Sequence, residues 1–282
     1  MCEFKSELYL VATPIGNLED MTFRAVKVLN EVDFIAAEDT RHTRKLLTHF
    51  DIHTPLIRYD ENNKDLAGTQ IIERLKSGES AACVSDAGLP AISDPGADLV
   101  KLAIEANIKV VPIPGANAAL SALICSGLDT TSFTFVGFLP KTAKKCLEVL
   151  EEIKSHKETL IFYEAPHHLK STLKNLLKIL GNREAVLARE LTKIHEEFIR
   201  NKLEDLINQF EETEPRGEFV IVVTGADDEI VYSADESTAD IMTVYQKFIA
   251  DGLDKKTAMR ETAKRLNISR REVYNYILTK ES

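Results

Sequence analysis

Ser85-Asp86-Ala87-Gly88-Leu89-Pro90-Ala91-Ile92-Ser93-Asp94-Pro95-Gly96 follows the apolar run Ala81-Ala82-Cys83-Val84. It precedes a helical pattern in which Leu99 and Val100 recur as Ala103 and Ile104. The stretch reads as a long loop at the carboxyl end of a buried strand, which is where open α/β sheets hold ligands. Its glycines let backbone come close to a ligand, and Pro90 and Pro95 stiffen it. Asp94 before Pro95 predicts an N-cap and a first helical residue.

Outward from this loop the first half alternates. Strands are expected at 8–12, 34–37, 56–59, 81–84 and 109–111, with helices at about 22–30, 41–50, 66–76 and 98–107. Such alternation predicts a mostly parallel sheet with helices on its faces. After Pro114-Gly115-Ala116-Asn117, a helix of small residues is expected at 118–126, with Asn117 as its cap. Further strands are expected at 133–138, 159–163, 185–188 and 219–223, with helices at about 143–154 and 168–180. The reading is thus α/β, with an N-terminal α/β domain over 1–119 and a second over 120–226. An acidic linker at 227–239 leads to a basic tail at 240–282, where three short helical patterns occur and two of them fit a helix-turn-helix. Its small core would be Ala258, Ala263, Leu266, Ile268, Val273 and Ile277.

Composition narrows the class. The chain has 282 residues, 44% hydrophobic and 28% charged, as expected of a globular protein. No apolar run is long enough for a transmembrane helix, and the N-terminus lacks a signal-peptide core, so a cytoplasmic protein is expected with no membrane partner. Cys2, Cys83, Cys125 and Cys146 lack CxxC spacing and read as free thiols. The net charge of −10 argues against a protein coated in nucleic acid, but it is uneven. Nine Lys/Arg face six Asp/Glu from Asp240 to Ser282, and seven basic residues face one acid between Lys255 and Arg271. A local nucleic-acid footprint and a helical tail packed on protein fit this pattern equally well.

Neither GxGxxG nor a Walker A loop is present. Glu164 with His167-His168, and His195 with Glu196-Glu197, lack the i, i+4 spacing of HExxH, so no metal is expected. The informative constellation is a set of loops at strand ends: Thr13-Pro14-Ile15-Gly16-Asn17-Leu18, Ala37-Glu38-Asp39-Thr40-Arg41, the loop quoted first, and Pro114-Gly115-Ala116-Asn117. Phe162-Tyr163-Glu164-Ala165-Pro166-His167, Ala188-Arg189-Glu190-Leu191-Thr192-Lys193 and Arg216-Gly217-Glu218 complete it.

Together these loops resemble the tetrapyrrole-methylase superfamily of S-adenosylmethionine (SAM) enzymes. Within it they look like the branch that methylates a cytidine ribose 2′-oxygen in bacterial small-subunit (16S) rRNA. The resemblance spans essentially the whole chain. Gly88-Leu89-Pro90 stands where the superfamily usually has Gly-Asp-Pro, so here the loop must meet the cofactor mainly through backbone and apolar groups. The resemblance implies a two-domain fold with SAM in the cleft between the domains, and a homodimer. It implies first-domain contacts from Pro14, Asp86, Gly88, Leu89, Ile92 and Ser93, a cleft floor of Gly115, Asn117 and Ala118, and second-domain contacts from Phe162, Tyr163, Leu191 and Gly217.

A ribose hydroxyl is a poor nucleophile and needs a base or a nearby cation. Glu190, Lys193, His195 and Glu38 are the candidates, with Glu190 and Lys193 preferred because they flank a matched strand end. Candidate RNA contacts are Arg41, Arg44, Lys45 and Arg189 near the cleft, and Lys255, Lys256, Arg260, Lys264, Arg265, Arg270 and Arg271 in the tail. Two other readings stand beside this one. The first is a methyltransferase acting on a precorrin-type tetrapyrrole, which would have no use for the tail. The second is a non-enzymatic regulator that binds nucleic acid through the tail.

Overall fold

Two of the predicted strands, Phe34–Ala37 and Ala81–Val84, are buried along their whole length. Strands without a polar face must be covered on both sides, which is the signature of a parallel sheet between two helical layers. The computed structural model describes residues 6–211, 213–226, 241–266 and 268–281, with side chains described up to Ile277. Cys2, the acidic segment 227–239, Asp240 and Asn267 lie outside the described residues. By internal contacts the chain forms two units, Met1–Ala226 and Asp227–Ser282.

The first sheet contains β1 (Glu7–Val11), β2 (Phe34–Ala37), β3 (Leu56–Arg58), β4 (Ala81–Val84) and β5 (Lys109–Ile113). Their order is β3-β2-β4-β1-β5, all parallel. Helices α1 (Phe23–Glu31) and α2 (Thr40–His49) cover one face, packing Ala25, Val28, Leu29 and Leu47 against Val11, Ile35 and Val84. Helices α3 (Lys64–Lys76) and α4 (Gly96–Glu105) cover the other, packing Ile71, Leu75 and Leu99 against Leu8, Phe34 and Cys83. β5 runs two residues past the predicted end, through Pro112. It is an edge strand, where a missing N–H is tolerated.

The second sheet contains β6 (Phe133–Phe138), β7 (Thr159–Glu164), β8 (Glu184–Arg189), β9 (Glu197–Lys202) and β10 (Phe219–Val223), in the order β6-β7-β10-β8-β9. Only β6 and β7 are parallel. Helices α6 (Ala143–Ile153), α7 (Pro166–Leu180) and the short α8 (Leu203–Gln209) cover one face. On the other face lies α5 (Ala118–Ser126), packing Ala119, Ala122 and Leu123 on Ile161, Val186 and Val222. Both ends of α5 are tied down. Asn117 accepts from the Leu120 N–H at 2.8 Å, Tyr163 from the Ala119 N–H at 3.2 Å, and Arg200 donates to the carbonyls of Cys125 and Ser126. Arg200 belongs to β9, a strand the sequence reading left out. β9 is a mostly exposed edge strand and carries no apolar alternation to read.

The unit that follows contains α9 (Ile241–Ala250), α10 (Lys255–Arg265) and α11 (Arg270–Glu281). Val244, Tyr245 and Phe248 of α9 complete a core with Ala258, Ala263, Val273 and Ile277, and Leu266 and Ile268 are partly buried against it. Asp254 caps α10 through the N–H groups of Lys256 and Thr257. Ser269 and Glu272 form a reciprocal capping box at the start of α11. No helix among the described residues is long and apolar enough to cross a membrane.

Gly225 closes the first unit against the backbone of Lys157. A Cβ there would overlap the Lys157 carbonyl, and backbone cannot step aside as a side chain can. Gly225→Ala is therefore expected to cost about 1–3 kcal/mol. Thermal unfolding should report a transition lowered by several degrees.

Candidate active site

The site lies where the first sheet changes direction. The chain leaves β1 toward the face covered by α1, and leaves neighbouring β4 toward the face covered by α4. The two loops must part there, and the crevice between them is the topological switch point of an open α/β sheet. They are joined at its base. Thr13 donates to the Gly88 carbonyl at 2.9 Å and Gly88 to the Thr13 carbonyl at 3.0 Å, with Gly88 at φ +79°.

Beyond this bridge the loop quoted first is held in an unusual form. Ala91 and Ser93 both sit at positive φ, 68° and 65°. Asp94 holds them there by accepting from the Ala91 N–H at 2.9 Å and the Gly96 N–H at 2.7 Å. The predicted cap is thus displaced by one residue. α4 begins at Gly96 with Pro95 at the N-cap, and Asp94 ties the loop to the helix from behind it.

A cavity of about 410 Å³ opens between this loop and the second sheet. Ile15, Leu89, Ile92, Phe138, Leu191 and Val220 give it apolar walls, and Asn117, Ala118 and Tyr163 bring in the start of α5. Its charged lining is one-sided: Glu38, Asp86, Asp94, Glu164 and Glu218 contribute carboxylates, and no lining residue is Lys, Arg or His. Asp94 and Glu164 are engaged with neighbouring backbone N–H groups. Glu38 lines the cavity beside them. Burial, then the nearby carboxylates of Asp86, Asp94, Asp60 and Asp39, raise its pKa above the ordinary carboxylate value. Burial likewise raises the Tyr163 phenol. The volume suits a small molecule. Apolar walls with carboxylates and no cation suit an amphipathic ligand that carries positive charge.

A second cavity, of about 520 Å³, adjoins the first and shares Ile15, Asp86, Ala87 and Glu218 with it. Its other residues include Pro14, His42, Lys45 and Lys193, so it sets two lysines beside the shared carboxylates.

Of the expected cofactor contacts, Asp86, Gly88, Leu89, Ile92, Ser93, Asn117, Ala118, Tyr163 and Leu191 line the first cavity, and Pro14 lines the second. Three residues lie elsewhere. Phe162 is fully buried among Leu150, Leu169 and Leu173 on the opposite face of the second sheet. Neighbours on a strand face opposite ways, so Tyr163 in the cleft places Phe162 outside it. Gly115 is packed against Ala12, whose Cβ would lie 2.8 Å from a Cβ at Gly115. Gly217, at φ +87°, makes room for the Glu190 side chain.

The two preferred catalytic candidates are spent on each other. Lys193 Nζ lies 2.9 Å from Glu190 Oε1 and 2.8 Å from Glu218 Oε2. The Glu218 N–H, against some burial, holds the Glu190 carboxyl below its ordinary pKa, and Lys193 adds to this. Burial opposes the Lys193 charge, but hydrogen bonds to Glu218 and Glu190 raise its pKa all the same. A lowered carboxyl and a raised ammonium are both poor proton acceptors. His195 lies on neither cavity.

Among the expected RNA contacts, Arg41 folds back on Asp39 through Nη2 at 2.9 Å and Nε at 3.2 Å. Arg189 donates to the Arg216 carbonyl and to Glu197. Arg44 is exposed, and Lys45 faces the second cavity. In the second unit Lys255, Lys256, Arg270 and Arg271 share one concavity, Arg260 pairs with Glu261, and Lys264 is exposed while Arg265 is half-buried. The sequence reading missed Phe138, Glu164 and Val220 as cavity residues. Their strands were visible, but which strand ends meet across a cleft was not.

Residues 7–207 match the family model of the tetrapyrrole (corrin/porphyrin) methylases. The chain is 51% identical over 273 residues to the ribosomal RNA small subunit methyltransferase I of Halalkalibacterium halodurans, covering 96% of this chain and 94% of the relative. It is 50% identical to the Bacillus subtilis protein of the same name, over 95% and 92% of the two chains. Among solved structures it resembles a diphthine synthase in fold, with a TM-score of 0.58 and 16% identity, over 77% of this chain and 89% of that one. The two-sheet architecture, the acid-lined cleft at the switch point and these matches agree: the chain belongs to the tetrapyrrole methylase family, in its ribosomal RNA small subunit methyltransferase I branch.

Proposed function

We propose that this protein transfers a methyl group from SAM to the 2′-hydroxyl of a cytidine in small-subunit (16S) rRNA. The observation that carries the reading is the apolar-walled, carboxylate-lined cavity at the switch point, adjoined by a second cavity that sets Lys45 and Lys193 beside Asp86 and Glu218. SAM is cationic at its sulfonium and its ammonium, and the first cavity offers carboxylates beside apolar walls. RNA is a polyanion, and the second cavity offers Lys45 to a phosphate. The relatives bearing the name ribosomal RNA small subunit methyltransferase I favour RNA over a tetrapyrrole as acceptor.

When bound, SAM supplies a methyl group on a sulfonium, which a nucleophile can take directly. The protein's share is to hold the acceptor in line, worth up to roughly 7–11 kcal/mol of barrier in favourable cases, and to receive a proton. Asp86, Gly88, Leu89, Ile92, Ser93, Asn117, Ala118, Tyr163 and Leu191 hold the cofactor in this reading. Pro14 and the Lys193–Glu190–Glu218 cluster shape the acceptor side. Glu38 is the proton acceptor, because its surroundings already disfavour its charge, and a gained proton relieves them. The domain limits at 119 and 226, a homodimer and a cytoplasmic location accompany this reading.

Methyl-labelled SAM incubated with small ribosomal subunits, naked rRNA and a corrin precursor separates the acceptors. Label on ribose of the small-subunit RNA is expected. Label on the corrin alone would overturn the acceptor assignment, and label on none would favour a binding regulator.

A further inference from the structure

Within the unit formed by α9, α10 and α11, six residues line a concavity of about 600 Å³: Lys255, Lys256, Met259, Arg270, Arg271 and Tyr274. Four cations meet there without a carboxylate in the lining, in a chain whose net charge is −10. The arrangement repeats on two helices. Lys255 and Met259 are four apart on α10, and Arg270 and Tyr274 are four apart on α11, so each helix shows a cation and, one turn on, a soft or flat apolar group on the same face. Tyr274 is 50% exposed, unlike Val273 and Ile277 beside it, which are in the core.

The helix starts do not supply the binding. Asp254 occupies the first N–H groups of α10, and Ser269 that of Glu272 in α11. Recognition here belongs to side chains. Four cations specify a polyanion. Cations alone would suit any polyanion, but an open aromatic ring between them adds a flat apolar platform, and a nucleobase is the flat apolar part of a polyanion. Duplex RNA fits poorly, because its major groove is too deep and narrow for side chains to read.

We propose that this concavity binds an unpaired RNA nucleotide, with its base stacked on Tyr274 and the flanking phosphates on Lys255, Lys256, Arg270 and Arg271. The proposal rests on the reading of RNA as substrate and adds that the contacted segment is single-stranded.

The chain contains no tryptophan, so Tyr274→Trp in the full-length protein places a sole indole fluorophore at the site. A single-stranded RNA decamer should quench its emission saturably, and a blunt RNA duplex of equal charge should not. Tyr274→Ala should weaken binding of the decamer by about five- to hundred-fold. Arg270→Gln with Arg271→Gln should reduce the slope of log affinity against log salt by roughly 1.4. Unchanged emission at saturating decamer, a Tyr274→Ala affinity within twofold of the parent, or equal quenching by the duplex or by a polyglutamate peptide would each overturn the proposal. Failure of the methyl-transfer reading is seen separately, as absence of label on any RNA with the unaltered protein.

Discussion

Glu38→Gln is expected to lower methyl transfer by about 10²–10⁴-fold, the usual span for a lost general base, with SAM affinity nearly unchanged. The substitution keeps size and hydrogen-bonding capacity and removes only the ability to take a proton. Glu38 lies at the end of β2, where the chain turns toward α2 with Asp39 as its cap. It lines the first cavity, and Asp86, which accepts from the Asp39 N–H at 3.1 Å, borders both cavities. Burial and four nearby carboxylates raise its pKa above the ordinary 4.5. The sign of the pH dependence follows. A base acts when ionised, so the rate should fall tenfold per unit as pH drops below a midpoint lying above 4.5. In Glu38→Gln that limb should disappear. The same shift means that ionised Glu38 opposes folding, so Glu38→Gln should be no less stable above that midpoint. Single-turnover rates across pH, with calorimetric SAM titration, measure both parts. A Glu38→Gln enzyme with an unaltered rate would show that Glu38 is not the proton acceptor.

Asp94→Ala is expected to weaken SAM binding by about 10- to 100-fold. Two hydrogen bonds to a carboxylate are lost, each worth about 1.5–3 kcal/mol in general. They hold Ala91 and Ser93 at positive φ, a conformation that persists only when its surroundings impose it. Released, the loop carries Leu89, Ile92 and Ser93 away from the cavity wall. Asp94→Asn keeps an acceptor oxygen in place and should recover most of the loss. An Asp94→Ala protein that binds SAM within twofold of the parent would show that the loop holds its form without the carboxylate.

The sequence made the parallel half of the fold legible, because β2 and β4 are apolar on both faces and the glycine and proline loops mark their ends. The loop at 85–96 was placed correctly at a strand end, and most of its named residues do line a cavity. Other features were hidden for reasons that can be stated. β9 has no buried face to give it a period. Phe162 and Tyr163 were both assigned to the cleft, although strand geometry allows only one. Asp39, two residues before Arg41, accepts from two of its three guanidinium nitrogens and leaves the side chain exposed, a pairing that spacing alone does not show. Glu190 and Lys193 attracted attention as reactive groups because they adjoin a loop. Their pairing is visible only in three dimensions, where Glu218, the residue before β10, arrives to pair with the lysine.

Helix α5 bears on how ligands come and go. It follows β5 of the first sheet in sequence, yet Tyr163 of β7 holds its first turn and Arg200 of β9 its last. β5 delivers it, but its packing is on the second sheet, so the chain changes halves in the short segment Pro114-Gly115-Ala116-Asn117. Pulling α5 away with the first sheet would leave its helix-end polar groups bare against an apolar sheet. Any opening of the cleft would therefore leave α5 with the second sheet and bend the chain at Pro114-Gly115-Ala116, next to Asn117 and Ala118 of the cavity wall.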